Sequence, residues 1–307
     1  MLARRAALLR ALRAFLDERG YLEVEPPTLV TSPGMEPHLD AFELADGGAR
    51  RYLHTSPEYA LKRLLGDGHE RLYALGPCYR DEPPSRTHSP EFTMLEWYAV
   101  GLDLPGMMAE TEQLFAAAAD ALGAEVDTPF ERISVREAFT RDAGVDPFAH
   151  PTADGLREAA RAAGVRVSTD STEWDDVFFQ IFLNAVEPCL GQARPTFLWG
   201  YPASQAALAR LDPGDPTIAL RFELFAGGHE LANAFDELTD PEEQRARFAQ
   251  DQDARRAMGR AVYPVDEALL EALGRMRPTC GIALGVDRLL MCLTGAADIA
   301  EVRVQPW

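Results

Sequence analysis

Charged side chains gather around one short loop of this sequence, between Tyr79 and Tyr98 (YRDEPPSRTHSPEFTMLEWY). Arg80 and Glu82 precede the Pro/Ser-rich loop, and the alternation of apolar and polar residues behind it predicts a strand. A guanidinium group binds planar oxyanions through a fork of parallel hydrogen bonds, so Arg80 is a candidate ligand for a phosphate or a reacting carboxylate. A surface ion pair between Arg80 and Glu82 is the structural alternative.

A second arginine, Arg288, follows near the C-terminus in GIALGVDRLLM, a Gly-bounded apolar strand that leads into a helix. Two arginines with several carboxylates and a histidine suit a polyphosphate and its magnesium. The sequence lacks the Gly-rich fingerprint and the P-loop lysine that usually signal a nucleotide site. We therefore expect an ATP site of a different design, in which Phe92 stacks on the purine and His88 holds a terminal phosphate. Taken alone, Phe92 would suit the core and His88 a solvated loop.

Glutamates form two further groups of candidate functional residues. Glu223, Glu230 and Glu237 recur every seven residues across a predicted strand, turn and strand. Glu230 and Glu237 bracket the apolar run LANAF, where a carboxylate is costly unless it is paired or bound to a metal. Glu58 and Glu96 are candidates to join Glu237 in a second acidic group, which would recognise the ammonium groups of a substrate. A solvated face is the alternative for both groups.

The composition limits the classes of protein that this chain can be. It has 307 residues, of which 47% are hydrophobic, which is enough for one large domain or two small ones. The formal net charge of −19 disfavours extended binding to a phosphate backbone. No apolar run approaches the ~18 residues of a membrane span, and the Arg-rich N-terminus suits an amphipathic helix better than a secretion signal. The scattered cysteines suggest reduced, mostly buried thiols of a cytoplasmic protein: Cys78, Cys189, Cys280 and Cys292.

The periodicity of the apolar residues, and the Gly and Pro residues that interrupt it, predict the helices and strands. The N-terminal helix has one apolar face and ends at Gly20, and a second helix begins with Ser56 as its cap and Pro57 in its first turn. Other helices are predicted at 109–122, 175–186 and 241–258. Strands are predicted at 21–24, 71–78, 220–225 and 282–286, with Gly227-Gly228 as a hairpin turn. Hairpins and long excursions join the strands, so we predict an α+β fold, an antiparallel sheet with helices around it.

These segments together resemble the catalytic domain of the class II aminoacyl-tRNA synthetases, and among them the lysyl-tRNA synthetases. GYLEVEPP is similar to motif 1, YRDE through EFTMLEWY to motif 2, and GIALGVDR to motif 3. TSPEYALKRLL and FELFAGGHELANAFDELTD are also similar to the lysyl enzymes, so the match covers nearly the whole chain. The resemblance implies the class II fold as a single catalytic domain over residues 1–307, with a mostly helical insertion at about 130–216.

The sequence departs from the lysyl-tRNA synthetases in three ways. The chain begins almost at motif 1, so we expect no anticodon-binding OB domain. Ala203-Ser204-Gln205 replaces a Glu-Val-Ser-type sequence after YP, and Ala283 replaces the middle glycine of motif 3. These departures are similar to the truncated paralogues that attach (R)-β-lysine to a lysine of translation elongation factor P. In addition, Ser89 stands where motif 2 usually has an asparagine.

The resemblance implies roles for particular residues. The ATP ligands would be Arg80, Asp81, Glu82, His88, Ser89, Phe92, Glu230, Leu231, Gly285 and Arg288. The amino-acid substrate would be held by Ser56, Pro57, Glu58, Glu96, Tyr98, Asn233, Glu237 and Ala283. Glu223 and Glu230 would hold Mg²⁺, and Arg80 and Arg288 would be catalytic through charge stabilisation.

The family's reaction has two steps. The carboxylate of (R)-β-lysine or lysine attacks the α-phosphorus of ATP, and the acceptor amine of elongation factor P then attacks the adenylate carbonyl. The first step needs no protein nucleophile, because positioning and charge stabilisation carry it. The resemblance also implies a homodimer formed through motif 1, with no tRNA and no membrane as partner. The alternatives are a minimal tRNA-charging enzyme, an inactive synthetase-like regulator, and a free amino-acid ligase similar to ammonia-dependent asparagine synthetase.

Overall fold

The computed structural model describes residues 1–46 and 49–304. The α-helices are α1 (Leu2–Asp17), α2 (Glu58–Gly66), α3 (Leu104–Leu122), α4 (Val135–Ala143), α5 (Ala153–Ala162), α6 (Trp174–Ile181), α7 (Pro241–Ala257), α8 (Glu267–Leu273) and α9 (Val286–Thr294). The strands are β1 (Leu22–Glu23), β2 (Leu29–Val30), β3 (Glu43–Asp46), β4 (Ala49–Leu53), β5 (Arg71–Tyr79), β6 (Glu91–Val100), β7 (Glu131–Ser134), β8 (Thr196–Pro202), β9 (Ile218–Ala226), β10 (His229–Asp236) and β11 (Thr279–Gly285). Short 3₁₀ turns lie at Pro147–Ala149, Glu187–Cys189, Ala203–Gln205 and Ile299–Glu301, and a π turn at Phe182–Val186.

The chain forms two compact units. The first contains Met1–Glu125 together with Asp236–Trp307, and the second contains Val126–Phe235. Both units are built from strands with helices packed against them, and most strand pairs are antiparallel. The α+β class is therefore confirmed.

Strands of the first unit bring motif 2 next to motif 3. Their order is β1-β5-β6-β11, with β1 parallel to β5 and the other pairs antiparallel. The register of β6 with β11 places Glu96 opposite Ala283 and Tyr98 opposite Gly281. A separate small sheet has the order β2-β4-β3.

The core of the first unit lies between these strands and α1 and α3. The predicted apolar face of α1 is confirmed, because all its members are buried: Leu8, Leu12, Phe15 and Leu16. Trp97 is fully buried on β6, and its indole N–H donates to Glu110 of α3 at 3.0 Å. Tyr21 also donates its hydroxyl to Glu110, at 2.5 Å. This shared carboxylate fixes the approach of α3 to the strands that carry motif 2.

The second unit is built on a hairpin. Its strands have the order β10-β9-β8-β7, and Gly227 and Gly228 join β9 to β10 with φ angles of 60° and 76°. Two consecutive residues with positive φ are what a type I′ turn requires, and glycine adopts them without strain. Aromatic rings of α4 and α6 pack nearby, with Phe139 stacked on Phe178 at 4.5 Å between centroids. The predicted strand, Gly-Gly turn and strand are thus confirmed.

Several predicted boundaries were wrong: the helix predicted at 109–122 begins at Leu104, and the strand predicted at 282–286 begins at Thr279. The helix predicted at 175–186 is α-helical only to Ile181 and continues as the π turn. The last strand ends at Gly285, because Val286 already begins α9. Pro57, not Ser56, is the N-cap of α2, although the Ser56 hydroxyl does accept the N–H of Glu58 at 3.0 Å.

Within the described residues, no helix is both long and apolar enough to cross a membrane. The four cysteines are free thiols. Cys78 and Cys280 are buried and Cys189 is exposed.

Candidate active site

Arg80 stands at the end of β5, where motif 2 leaves the sheet. Its backbone N–H donates to the carbonyl of Pro90 at 2.8 Å, which closes the loop between β5 and β6. Its guanidinium lies 5.0 Å from the centroid of the Phe92 ring. The buried Nε of Arg80 and the buried hydroxyl of Ser89 find no hydrogen-bond partner among the described residues. Buried donors without partners are costly, so these two groups are suited to a polar ligand.

Arg288 of α9 contacts the motif 2 loop. Its Nη2 lies 2.8 Å from Nε2 of His88, and its Nε donates to the carbonyl of Thr87 at 3.2 Å. Partial desolvation and the neighbouring Arg288 both lower the pKa of His88, so the neutral imidazole accepts the guanidinium hydrogen bond. Asp81 and Glu82 stand at the start of the same loop, Asp81 exposed and Glu82 half-buried.

Asp287 holds the motif 3 helix against motif 2. This buried carboxylate accepts the N–H of Thr93 on β6 at 2.8 Å and the guanidinium of Arg5 at 2.5 Å. Arg303 adds an ion pair at 3.5 Å. Since Arg288 follows Asp287 directly on α9, these bonds fix the position from which Arg288 reaches the loop.

An acidic cluster lies in the first unit around a buried lysine. Nζ of Lys62 on α2 is 2.6 Å from Oε1 of Glu58 and 2.6 Å from Oε2 of Glu237. Burial raises the pKa of Glu237 to about 8, although the charge of Lys62 lowers it. Burial disfavours the charged form of Lys62, but Glu237 and Glu58 reverse that effect and raise its pKa.

Glu96 extends this cluster onto β6. The hydroxyl of Ser56 donates to its Oε1 at 2.6 Å and the hydroxyl of Tyr98 to its Oε2 at 3.1 Å. Burial raises the pKa of Glu96 to about 8, and Glu58 adds to the shift, whereas Ser56 and Tyr98 act against it. The cluster is therefore a buried set of carboxylates suited to a cationic group.

Two positions of motif 3 face the cluster from β11. A Cβ on Gly281 would collide with the ring of Tyr98 and would lie 2.5 Å from Oε1 of Glu237. Any side chain at Gly281 must therefore displace both neighbours. Ala283, two residues on, is half-buried opposite Glu96.

The second unit carries its own polar network on the β9–β10 hairpin. Glu223 accepts the hydroxyl of Tyr201 at Oε2, at 2.5 Å, and the guanidinium of Arg221 at Oε1. Arg221 also donates from Nε to Oδ1 of Asn233 at 3.1 Å, and it lies 4.5 Å from the Tyr201 ring centroid. Asn233 is opposite Glu223 in the strand register, and Glu230 is opposite Phe225.

Comparison with known proteins agrees with this geometry. The family model described as tRNA synthetases class II (D, K and N) matches residues 1–307. The chain belongs to the class II tRNA synthetases.

Similar relatives within this class share one name, elongation factor P–(R)-β-lysine ligase. The protein of Yersinia enterocolitica serotype O:8 / biotype 1B is 41% identical over 313 residues, which cover 99% of this chain and 94% of the relative. The protein of Salmonella paratyphi B is 41% identical over 309 residues, covering 98% of this chain and 93% of the relative. The protein of Proteus mirabilis is 40% identical over 313 residues, covering 99% and 94%.

The predicted site residues fall into two groups in this class II chain. The first unit contains Ser56, Pro57, Glu58, Arg80, Asp81, Glu82, His88, Ser89, Phe92, Glu96, Tyr98, Glu237, Ala283, Gly285 and Arg288. The second unit contains Glu223, Glu230, Leu231 and Asn233. Within the first unit the structure brings Ser56, Glu58, Glu96, Tyr98 and Glu237 together, as it does His88 and Arg288. The roles of these residues toward ligands stay predictions.

Sequence analysis missed the cations that hold the predicted carboxylates. Lys62 pairs with Glu58 and Glu237, and Arg221 pairs with Glu223. Glu58 and Lys62 are four residues apart on a helix, which is a recognisable signal, but such pairs are usually solvated. Burial distinguishes this pair, and burial comes from the tertiary structure.

A buried arginine supports motif 2 from α7. Arg255 is fully buried and donates to the carbonyls of Glu36, at 2.9 Å, and Leu39, at 2.7 Å. It also pairs with Asp40 at 2.7 Å, and the carbonyl of Asp40 accepts the N–H of Asp81 at the same distance. The loop held by Arg255 therefore contacts motif 2 directly after Arg80. No pattern in the sequence indicates this connection.

The predicted Mg²⁺ ligands, Glu223 and Glu230, lie among other polar groups that limit how they could bind a metal ion. Both oxygens of Glu223 already accept hydrogen bonds, but each carboxylate oxygen has a second lone pair. No group of three or more acidic, histidine or cysteine side chains within the described residues is arranged to hold a metal ion. Mg²⁺ commonly binds through one or two carboxylates together with substrate phosphates and water. Glu223 and Glu230 therefore do not belong to a cage for a resident ion among the described residues, and their binding of a magnesium ion that arrives with a nucleotide stays a prediction.

Proposed function

We propose that this chain is an ATP-dependent ligase that activates (R)-β-lysine, or lysine, as an adenylate and transfers it to a lysine ε-amine of elongation factor P. The names of the relatives support this proposal across nearly their whole length. The proposal assigns the reaction to the cytoplasm, where translation factors act.

One structural observation carries the substrate assignment. Glu58, Glu96 and Glu237 are each at most 8% exposed and converge on one cluster of the first unit, with Lys62 as their buried counter-ion. Oε1 of Glu237 has no hydrogen-bond partner among the described residues. An unpaired buried carboxylate oxygen is costly, so the cluster is suited to an ammonium group supplied by a ligand.

In the first step, the substrate carboxylate attacks the α-phosphorus of ATP and pyrophosphate leaves. Arg80 would hold the reacting carboxylate and the α-phosphate, and Phe92 beside it would stack on the adenine. His88 and Arg288 would bind the terminal phosphates from the motif 2 loop. Charge-assisted donors positioned in this way stabilise the charge that develops on the phosphate oxygens.

Glu223 and Glu230 would hold the magnesium ion, which neutralises phosphate charge when it is bound. Arg221 and Tyr201 orient Glu223 before any ligand arrives. In the second step, the deprotonated acceptor amine attacks the adenylate carbonyl, an amide forms, and AMP leaves.

The test is a transfer reaction followed by intact-mass spectrometry. The chain is incubated with ATP, Mg²⁺, α- or β-lysine, and either elongation factor P or total tRNA. We expect elongation factor P to gain the mass of one lysyl group, with the β-isomer preferred, and tRNA to stay uncharged. Transfer to tRNA alone would favour a minimal tRNA-charging enzyme. Absence of lysine-dependent pyrophosphate exchange would favour an inactive synthetase-like protein.

We also propose that the chain forms a homodimer through motif 1. Motif 1 exposes Leu22 at 53%, and the short strands that follow it expose Leu29 at 49% and Leu44 at 42%. Such exposure is a feature of surfaces that bind another protein. Light scattering should give the mass of two chains, and Leu29→Glu should lower it to that of one.

A further inference from the structure

Lys62 is the most deeply buried cation in the acidic cluster, and the proposed chemistry gives it no role. The side chain is 2% exposed, and its ammonium contacts Glu58 and Glu237 equally, at 2.6 Å. Glu58 lies one turn earlier on α2, whereas Glu237 follows β10 in the sequence. Lys62 therefore joins two carboxylates that come from distant parts of the chain.

Stability alone is a weak explanation for this arrangement. Removing an ammonium and its partners from water carries a desolvation penalty, and well-packed apolar residues of similar volume often replace buried ion pairs without loss of stability. The geometry also leaves an oxygen unused, because Lys62 engages Oε2 of Glu237 while Oε1 stays without a partner among the described residues. That free oxygen lies 2.5 Å from the position of a Cβ on Gly281, at the motif 3 wall of the cluster.

We propose that Lys62 is a positioning residue for the ammonium subsite: it fixes one oxygen each of Glu58 and Glu237, so that Oε1 of Glu237 is presented to the substrate. The inference rests on the proposed function, because it assigns the occupant of the cluster as an amino acid with two ammonium groups.

The charges around Lys62 agree with such an occupant. Besides its own members, the groups that interact electrostatically with the cluster include Glu36 from the loop before β3, Tyr59 on α2, Cys78 on β5, Tyr98 on β6, Asp236 at the end of β10 and Cys280 on β11. Glu58, Glu96 and Glu237 against Lys62 leave two net negative charges when all are ionised. (R)-β-Lysine and lysine each carry two ammonium groups, which a cluster of net negative charge attracts.

Lys62 also determines the pH at which the cluster is charged. Burial raises the pKa of Glu96 and of Glu237 to about 8, and Lys62 lowers both. Without the ammonium, these acids would hold their protons to higher pH. A protonated carboxyl group cannot form an ion pair with the substrate, so the affinity for lysine should rise with pH, and should rise later in a variant without the charge.

The experiment compares Lys62→Met, Lys62→Arg and wild type. Lys62→Met keeps the length of the side chain and removes its charge, whereas Lys62→Arg keeps the charge. Arg63→Met is the matched control, because Arg63 is the next residue on α2 and pairs with Asp266 outside the cluster. Pyrophosphate exchange gives KM for lysine and for ATP from about pH 6.5 to pH 9.5, and thermal unfolding checks each fold.

For Lys62→Met we expect a KM for lysine at least tenfold higher near pH 7.5, with KM for ATP within about twofold of wild type. In Lys62→Met, KM for lysine should still be falling at the upper end of this pH range, where it has levelled off in wild type. Lys62→Arg and Arg63→Met should keep the wild-type pH dependence. An unchanged KM for lysine, an increase that does not depend on pH, or an equal increase for ATP would overturn the positioning role.

A second measurement needs no substrate. Carboxyl-carbon NMR titration of wild type, Lys62→Arg and Lys62→Met, with Glu237→Gln to assign the resonance, reports the pKa of Glu237 directly. We expect Lys62→Arg to keep it within about one unit of wild type and Lys62→Met to raise it. If Lys62→Met does not fold, Lys62→Gln replaces it. An unchanged pKa of Glu237 in Lys62→Met overturns the proposal. Absence of lysine-dependent pyrophosphate exchange in wild type would instead overturn the proposed function.

Discussion

The two ends of the site in the first unit hold their charges in different ways. At the motif 2 loop, Arg80 and Arg288 are half-buried, His88 is exposed, and buried donors such as Nε of Arg80 lack partners among the described residues. At the acidic cluster, Glu58, Lys62, Glu96 and Glu237 are between 1% and 8% exposed and bind one another closely. The first end is open and basic, and the second is buried and acidic.

This difference predicts different responses to pH and to mutation. Arginine stays charged at every pH at which a protein is folded, so binding at the motif 2 end should depend little on pH. Buried carboxylates titrate near neutrality, with pKa values of about 8 for Glu96 and Glu237. The affinity for lysine should therefore depend on pH more strongly than the affinity for ATP, and substitutions at one end should spare the ligand bound at the other.

Arg80→Ala should have the largest effect. A charge-assisted donor aimed at the reacting phosphate is worth roughly 10²-fold or more in rate, so adenylate formation should fall by at least that factor. Pyrophosphate exchange measures the loss, and circular dichroism confirms the fold. Arg86→Ala is the control, because Arg86 is exposed on the same loop and donates to the carbonyl of Ala297. Near-normal exchange in folded Arg80→Ala would refute the motif 2 assignment.

Glu237→Gln should weaken the binding of lysine and leave the binding of ATP unchanged. It removes one charged partner of an ammonium group, worth roughly 1.5–3 kcal/mol, so KM for lysine should rise by about 10- to 100-fold. Glu58→Gln should act in the same direction. Glu70→Gln is the control, since this glutamate is exposed and pairs with Arg277. A rise in KM for ATP with KM for lysine unchanged would mean that both acids belong to another subsite.

Gly281→Ala should disturb the acidic cluster without touching a charge. The new methyl group would collide with the Tyr98 ring and with Oε1 of Glu237, and overpacking of this kind costs roughly 1–3 kcal/mol. We expect a lower melting temperature and a KM for lysine raised about 5- to 100-fold. Gly76→Ala on β5 is the control, because a Cβ there meets no atom within 4 Å. Equal effects of the two substitutions would show that the collision is not the cause.

Ala283→Gly should have the smallest effect, which is a change in the preference between (R)-β-lysine and α-lysine. Ala283 is half-buried opposite Glu96, and a difference of one methyl group in a pocket is worth roughly 1–3 kcal/mol. We expect the preference for (R)-β-lysine over α-lysine to fall by about 5-fold or more. The ratio of kcat/KM for the two isomers, from pyrophosphate exchange, is the measurement. An unchanged ratio would direct attention to Ser204 and Gln205, which contact Asp175 in the second unit.

The sequence by itself determined the elements and the chemical types of the site. Alternation from Phe92 to Tyr98, the apolar face of α1 and the Gly227-Gly228 turn are local patterns, and local backbone geometry follows from them. The motifs identified Arg80, Glu96 and Arg288, because phosphate and ammonium recognition restricts the residue types that can serve.

Only the tertiary structure decided which of these groups are buried and which residues surround them. Nothing local to α2 indicates that Lys62 meets Glu237, which lies far along the chain, or that Arg255 holds the loop next to Asp81. The same chain packing places Gly281 against Tyr98 through the register of two distant strands. Burial turns an ordinary helix ion pair into a titrating cluster because the desolvation cost of a charge depends on every atom around it, and that environment is a property of the whole fold.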